Sequence, residues 1–303
     1  MIGRTDFITE AVWSDIILVW YCLVDDAYQE LERQFGRWRQ RGPSPVFTDS
    51  EVITVALVID TFFGGHEALG LSFLRQYQTD LFPHLPGTGR FNERRTRLGP
   101  LIDQVRRWIT RQEGLLPDED RIRLVDSAPI FVNTYARGSR SATLAGPEYF
   151  GIAKSQGAKV FGLRLVLTTS CEQVVDGWML APASHHDSLT LPALLEGEAA
   201  LQVLGDGAYH HPISESVLTE KHDIRLLAPP RKDSSTPWPP ALRDTVTRLR
   251  RNIETALGIL AVVFHVEQPN ARSLHGLVSR ISTRILAYTL CFLMDKYLAQ
   301  LSA

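Results

Sequence analysis

The chain has 303 residues, 44% of them apolar and 22% charged, with a formal net charge of −2. Those proportions exclude a disordered chain and supply enough apolar material for one large domain or two modest ones. The near-neutral balance excludes a protein that coats nucleic acid by bulk charge, but not one with a local basic surface, because phosphate affinity depends on clustering.

Such clusters are present. Residues 231–303 carry ten Lys and Arg against five Asp and Glu, and residues 137–164 carry five against one, whereas the first hundred carry ten against thirteen. The three cysteines, Cys22, Cys171 and Cys291, form no CxxC pair, which argues against a zinc site or a disulfide framework and fits a reducing cytoplasm. The opening "MIGRTDFITEAVWSDI" lacks the basic start and apolar core of a signal peptide.

In chain order, residues 1–115 read as helices. "TDSE" from Thr48 has capping-box spacing, and "VITVALVIDTFF" continues it with apolar residues at helical intervals. "EALGLSFLRQYQTDLF" is a further amphipathic segment, and "RFNERRTRLGPLIDQVRRWITRQ" offers one or two arginine-rich helices. Short helices joined by Gly/Pro turns are compatible with a helix-turn-helix, DNA-binding module, though any small bundle would look similar. "LLPDEDR" is the expected boundary, and the texture after it changes to strands. "RIRLVDSAPIF" is one strand, and "AKVFGLRLVLTTS" with "QVVDGWMLAP" reads as a hairpin. Helix "HDSLTLPALLEG" leads into strand "LQVLGD", and helix "ISESVLTEKH" into strand "DIRLLAPP". Two long helices from about Ala241 and Ala271 complete the chain; "ILAYTLCFLM" within the second is about half a membrane span and is expected to be a buried core helix, with no membrane association. The predicted class is therefore α/β (α+β): a ribonuclease H-like mixed five-stranded sheet flanked by helices over 120–303, preceded by an all-helical domain.

That order places acids together. The first and fourth strands lie side by side in such a sheet, so Asp126 on one and Asp206 at the end of the other converge, and "LRRNIETALGIL" offers Glu254 from a helix on the same edge. Phosphodiester cleavage with two divalent ions about 3.5–4 Å apart needs hard carboxylate ligands of this kind. Glycines beside Asp206 are expected to let a nucleic-acid backbone approach. The alternative is that Asp206 is an ordinary turn or N-cap residue for the helix near Pro212.

Several stretches resemble the DDE transposases of bacterial insertion sequences, and most closely the insertion sequence 982 family. They are "GPSPVFTDSEVITVAL", "FPHLPGTGRFNERRTRL", "VDSAPI", "LAPASHHDSLTLPAL", "LGDGAY", "RRNIETALGIL" and "ARSLHGLVSRI", in that order along nearly the whole chain. The resemblance implies that Asp126, Asp206 and Glu254 are the catalytic acids and the ligands of two Mg²⁺ (or Mn²⁺) ions. Where the family typically reads Asp-Lys-Gly-Tyr, this chain has Asp206-Gly207-Ala208-Tyr209. Some related transposases carry a Tyr-Arg-Glu-Lys signature; Arg250 and Glu254 fit its spacing, while Thr247 and Ala261 stand at its other two positions.

Other side chains are candidates for the substrate. Arg250 and Arg251 share a helical face with Glu254 and either contact phosphates or pair with that glutamate. Lys154 and Lys159, with Arg164 nearby, either track DNA or form a solvated edge. Arg94 and Arg95, with Arg90 and Arg97, either hold phosphates or form a solvated face. Asp187 is expected to cap its helix with His186 beside it, and both stay open as supporting residues; Tyr209 either packs under the site or bonds a phosphate. Trp238, between prolines, either packs or stacks on a base.

The function these readings imply is DNA transposition by an insertion-sequence transposase. It would bind terminal inverted repeats and target DNA, act as a homodimer on DNA ends, and cleave and transfer strands. The rivals are a metal-dependent nuclease without strand transfer and a non-catalytic DNA-binding derivative.

Overall fold

The computed structural model describes residues 10–38, 42–43, 45–153, 157–230 and 238–301. The chain forms two compact units, one of residues up to 113 together with 275 onward, the other of residues 114–274. The division after residue 113 is close to the expected boundary. The C-terminal end differs: the last helix belongs with the N-terminal helices rather than with the sheet, so the second unit stops well short of residue 303.

The first unit contains α1 (Glu10–Phe35), α2 (Asp49–Phe62), α3 (Glu67–Tyr77), α4 (Thr88–Arg97), α5 (Gly99–Gln112) and, from the far end of the chain, α9 (Leu274–Leu301). Helix α2 starts on the expected capping box: the Thr48 hydroxyl accepts from the Glu51 backbone N–H at 3.1 Å, and the Glu51 carboxylate accepts in return from the Thr48 N–H. Every residue from Ser50 to Asp60 except Glu51 is buried, so α2 is the centre of the bundle rather than an amphipathic surface helix. Helices α2 and α3 meet at 111° across the four-residue turn Phe63–His66, an angle and turn length of helix-turn-helix type. Helix α9 is long and apolar enough over Leu274–Met294 to cross a membrane, and 78% of that apolar window is buried in the protein, as expected of a core helix.

The second unit holds β1 (Ile122–Asn133), β2 (Phe150–Ala153), β3 (Ala158–Thr169), β4 (Val175–Pro182), α6 (Asp187–Leu194), β5 (Gln202–Leu204), α7 (Pro212–His222), β6 (Arg225–Leu227) and α8 (Pro240–Val262). The sheet runs β2-β3-β1-β5-β6, with β4 also on β3. Strands β2 and β4 share the outer edge of β3, pairing with residues 158–161 and 163–169 respectively. The described sheet thus has six strands, not five. The extra strand, "FGIA", is too short and too poor in alternation to announce itself. Strands β1 and β3 are antiparallel, while β1, β5 and β6 are parallel, giving a mixed sheet.

Successive side chains of β1 point to opposite faces. Val125 joins a core with Val203, Leu191 and Leu195 beside α6 and Leu218 of α7. Its neighbour Asp126 faces the other way and meets α8, which begins on Pro239-Pro240 and packs through Ile253, Ala256, Leu257 and Leu260. Each fully buried aliphatic side chain of this kind stabilises by about 1.5–3 kcal/mol. The sheet and α8 are therefore fixed relative to each other where the acids emerge.

Candidate active site

Strands β1 and β5 are adjacent and parallel, with Leu124 opposite Leu204 as their last paired residues. Asp126 and Asp206 each stand two residues further along. Two positions along β1 restores the face of Leu124, and Asp206, in the turn just past β5, comes near enough for its charge to raise the Asp126 carboxyl. Each is oriented locally: one Asp126 oxygen accepts from the Ser127 backbone N–H and one Asp206 oxygen from that of Ala208, both at 2.8 Å. The Asp206 bond is a tight Asx turn. It does not cap α7, whose N-cap is His211.

The third acid arrives on α8. Arg250 Nη2 lies 3.6 Å from the second oxygen of Asp126 and 4.0 Å from Glu254 Oε1, so one guanidinium nitrogen stands between the two carboxylates. Neither spacing is a hydrogen bond. The Arg250 side chain is 16% exposed, and its buried Nε has no hydrogen-bond partner; Glu254 is 57% exposed. Asn252, two residues before Glu254, donates to the Cys171 carbonyl at 2.8 Å and pins α8 beside the turn after β3.

Burial raises the Asp126 carboxyl to about 6 from an ordinary 3.8, with Asp206 and Asp187 adding to the rise and the Ser127 N–H and Arg250 opposing it. Burial, then Asp187, Asp126 and Asp206, raise the Tyr209 phenol well above its ordinary value. Its ring lies in the core with Val125, and its buried hydroxyl faces Ser127 without making a well-formed hydrogen bond. Tyr209 thus packs under the acids rather than standing out toward a substrate. The glycines beside Asp206 have the same internal cause: a Cβ on Gly205 would lie 3.0 Å from the Tyr209 ring, and one on Gly207 3.1 Å from the Pro229 carbonyl.

Other expectations also change. Asp187 does not cap α6; the N-cap is His186, without a side-chain cap bond, and Nδ1 of that histidine lies 2.8 Å from the Ser188 hydroxyl. Arg164 draws Asp187 away, donating to its two oxygens at 2.8 and 3.0 Å. Arg164 is thereby committed to the protein rather than to a ligand. Arg95 is no phosphate contact: it is 1% exposed and bonded to Asp60 and Glu67. Arg94 is largely buried and bonds the Phe47 carbonyl and Asp49. Arg251 is exposed on α8, and Lys159 is exposed with its ammonium 5.5 Å from the Tyr135 ring centre. Trp238 is half-buried at the start of α8's approach, and Lys154 lies outside the described residues. Sequence spacing missed the Arg164–Asp187 pair and the Asn252 anchor, since neither follows a periodic pattern.

The site therefore offers two adjacent strand carboxylates, one more exposed glutamate, and an arginine among them. Among the described residues, no three His, Cys, Asp or Glu side chains are gathered closely enough to form a ready metal cage. All the donors are hard oxygens suited to Mg²⁺ or Mn²⁺, and each aspartate uses one oxygen locally and presents the other.

No protein-family model matches the chain, and no curated protein matches it. Among solved structures, it is matched to one described as "Mos1 transposase paired-end complex with left transposon end", at 12% identity over 86% of this chain and 98% of that one, with a TM-score of 0.22. So slight an overlap carries no argument, and the functional reading rests on the residues themselves.

Proposed function

We propose that this chain is an insertion-sequence DNA transposase of the insertion sequence 982 type, in which Asp126, Asp206 and Glu254 are the catalytic acids. The observation that carries the reading is the placement of Asp126 on β1 and of Asp206 just past its parallel neighbour β5, with Arg250 and Glu254 of α8 set against Asp126. In this reading the same three acids would hold two Mg²⁺ or Mn²⁺ ions. Such ions, when bound, supply Lewis acidity toward the attacking and leaving oxygens of a phosphodiester.

The chain's own residues do the rest. Ser127 and Ala208 hold the two aspartates in one orientation through their backbone N–H groups, so little reorganisation is needed when substrate arrives. Asn252 fixes the height of α8, and the exposed Glu254 closes the acid set from its helix. Arg250, held only loosely between Asp126 and Glu254, would turn its guanidinium to a DNA phosphate, and exposed Arg251 and Lys159 are further candidates for phosphate contact. The substrates are the element's terminal inverted repeats and a target duplex. A homodimer would bring two ends together.

The test is Asp206→Ala in a cleavage and strand-transfer assay on pre-nicked inverted-repeat DNA with Mg²⁺. Loss of both reactions with DNA binding retained supports the reading. Cleavage surviving the substitution overturns the site, and a wild-type protein that hydrolyses ends without joining them is a nuclease instead.

A further inference from the structure

The arginines of α4 were the sequence's candidates for phosphate contact in the helical unit, yet Arg94 and Arg95 are spent on internal pairs. Helix α3, the second of the helix-turn-helix pair, carries Arg75 alone, and that side chain donates to the Pro86 carbonyl. A different surface of the unit has the chemistry that these helices lack.

Where α1 ends beside α5, a groove is lined by Arg37, Arg107 and Arg111, by Phe35, Trp38 and Trp108, and by three glutamines, with Glu32 its one acid. Gly36, at φ +84°, donates its N–H to the Glu32 carbonyl and ends α1 in the left-handed turn that frees Arg37 and Trp38 from the helix. Arg37 and Arg111 are exposed, and Arg107 is 47% exposed while paired to Asp103 at 3.0 Å. Phe35 is 77% exposed and Trp38 40%. Elsewhere in the unit Trp13 packs on Phe62, Phe63 and Phe73 and Trp20 stacks on Phe62, while the exposed Tyr77 and Phe292 each contact another ring, Phe73 and Tyr288. Two exposed aromatic rings among cations of one sign form a surface with a use. Guanidinium groups match phosphates, glutamine amides match base edges, and flat rings accept unpaired bases of any sequence. A duplex would bury its bases and leave the rings without partners.

We propose that the α1–α5 groove binds an unpaired DNA strand, with Arg107 and Arg111 on the phosphates and Trp38 stacked on a base. The proposal deepens the transposase reading and rests on it for the kind of nucleic acid. It assigns the surface on which the helical unit holds a melted or flanking single strand.

The experiment uses the full chain with EDTA present, fluorescein-labelled (dT)12, and a duplex of equal length, followed by anisotropy across a salt series. We expect (dT)12 to bind more tightly than the duplex and to quench tryptophan fluorescence. Trp38→Ala should weaken (dT)12 binding at least about fivefold, the loss of one stacked base, with Trp38→Phe restoring most of it. The double variant Arg107→Ala/Arg111→Ala should flatten the log–log salt slope by about 0.7 for each arginine. Unfolding curves matching wild type will show that these surface variants fold. Unchanged (dT)12 affinity in these variants, or a changed sedimentation coefficient in place of changed DNA binding, overturns the proposal; the latter makes the groove a seat for a second copy of the chain. Because Asp206→Ala is scored by cleavage, wild-type cleavage that is lost in Asp206→Ala, together with unaltered groove variants, removes this inference alone. A wild-type chain that neither binds nor cuts DNA removes the transposase reading as well.

Discussion

Two clusters of acids and arginines, one in each unit, are held in opposite ways. In the helical unit, Asp60 and Arg95 are 0% and 1% exposed and directly bonded, Arg95 also reaches Glu67 at 3.3 Å, and Arg280 donates to Glu67 at 2.8 Å. Asn92 donates to both Glu67 oxygens as well. In the sheet unit, Arg250 approaches Asp126 and Glu254 only to 3.6 and 4.0 Å, and its buried Nε is without a partner. A cluster whose task is to join α2, α3, α4 and α9 holds its charges at bonding distance, because an unpaired buried charge is strongly destabilising, although Asp60 Oδ1 and Arg95 Nε, like Arg250 Nε, make no hydrogen bond. A cluster that keeps charge attraction but not hydrogen bonding holds its cation where it can be exchanged. The difference separates an ionic group whose members are bonded to one another from one whose cation stands off its carboxylates.

The largest effect should come from breaking the closed cluster. Arg95→Met leaves Asp60 buried beside fewer cations and should cost about 3–5 kcal/mol of stability. Urea unfolding of the full chain measures this; a loss below about 1 kcal/mol would mean the helical cluster is no more binding than the open one. The equivalent insult to the open cluster has the opposite profile. Asp126→Asn should reduce DNA cleavage by about 10²–10³-fold, as removal of one electrostatic stabiliser does, while raising stability at neutral pH because a buried charge is removed. Cleavage rate and unfolding midpoint on the same preparation decide it.

pH sharpens the contrast. The folded-state pKa of Asp126 is raised to about 6, chiefly by burial, against an ordinary 3.8. Between those values the folded protein holds a proton that the unfolded chain has released. Folding is therefore favoured at the acid end, and that advantage is lost as pH rises from about 4 to about 6. At about 1.4 kcal/mol per unit the effect is on the order of 3 kcal/mol at most. Asp126→Asn should abolish this component, so the difference in stability between variant and wild type should grow through that window. Divalent-metal affinity of the wild type should fall as pH drops through about 6. A difference that stays flat with pH would place Asp126 in a wetter setting than its burial indicates.

Much of this arrangement was legible in the sequence, for identifiable reasons. The Thr48–Glu51 capping box is a local motif, and the β3–β4 hairpin and the adjacency of β1 and β5 follow from alternation and element order. Those features place Asp126 and Asp206 at neighbouring strands from the sequence alone. What stayed hidden was whatever depends on the opposing surface. The spacing of Arg94 and Arg95 marks a cationic helix but not that Asp49, Asp60 and Glu67 face it. Asp187 stands at a helix start, yet Arg164, from a strand 23 residues earlier, turns it away from capping. The allegiance of α9 to the N-terminal helices is likewise a matter of which apolar faces meet, and its hydropathy alone does not say.

The smallest effect is the most discriminating. If Arg250 is the exchangeable cation of the open cluster, it competes with divalent ions for Asp126 and Glu254. Arg250→Gln should then tighten Mg²⁺ or Mn²⁺ binding by about fivefold, the equivalent of roughly 1 kcal/mol of coupling, while making the metal-free protein less stable by a similar amount. Arg251→Gln, exposed on the same helix, should change neither quantity. Calorimetric titration with Mn²⁺ gives the affinity without reference to activity, and thermal melts with and without the ion give the stability. Weaker metal binding in Arg250→Gln would mean that the guanidinium orders the carboxylates for the metal instead of standing in its place, and the distinction between closed and open clusters would fail at the residue on which it most depends.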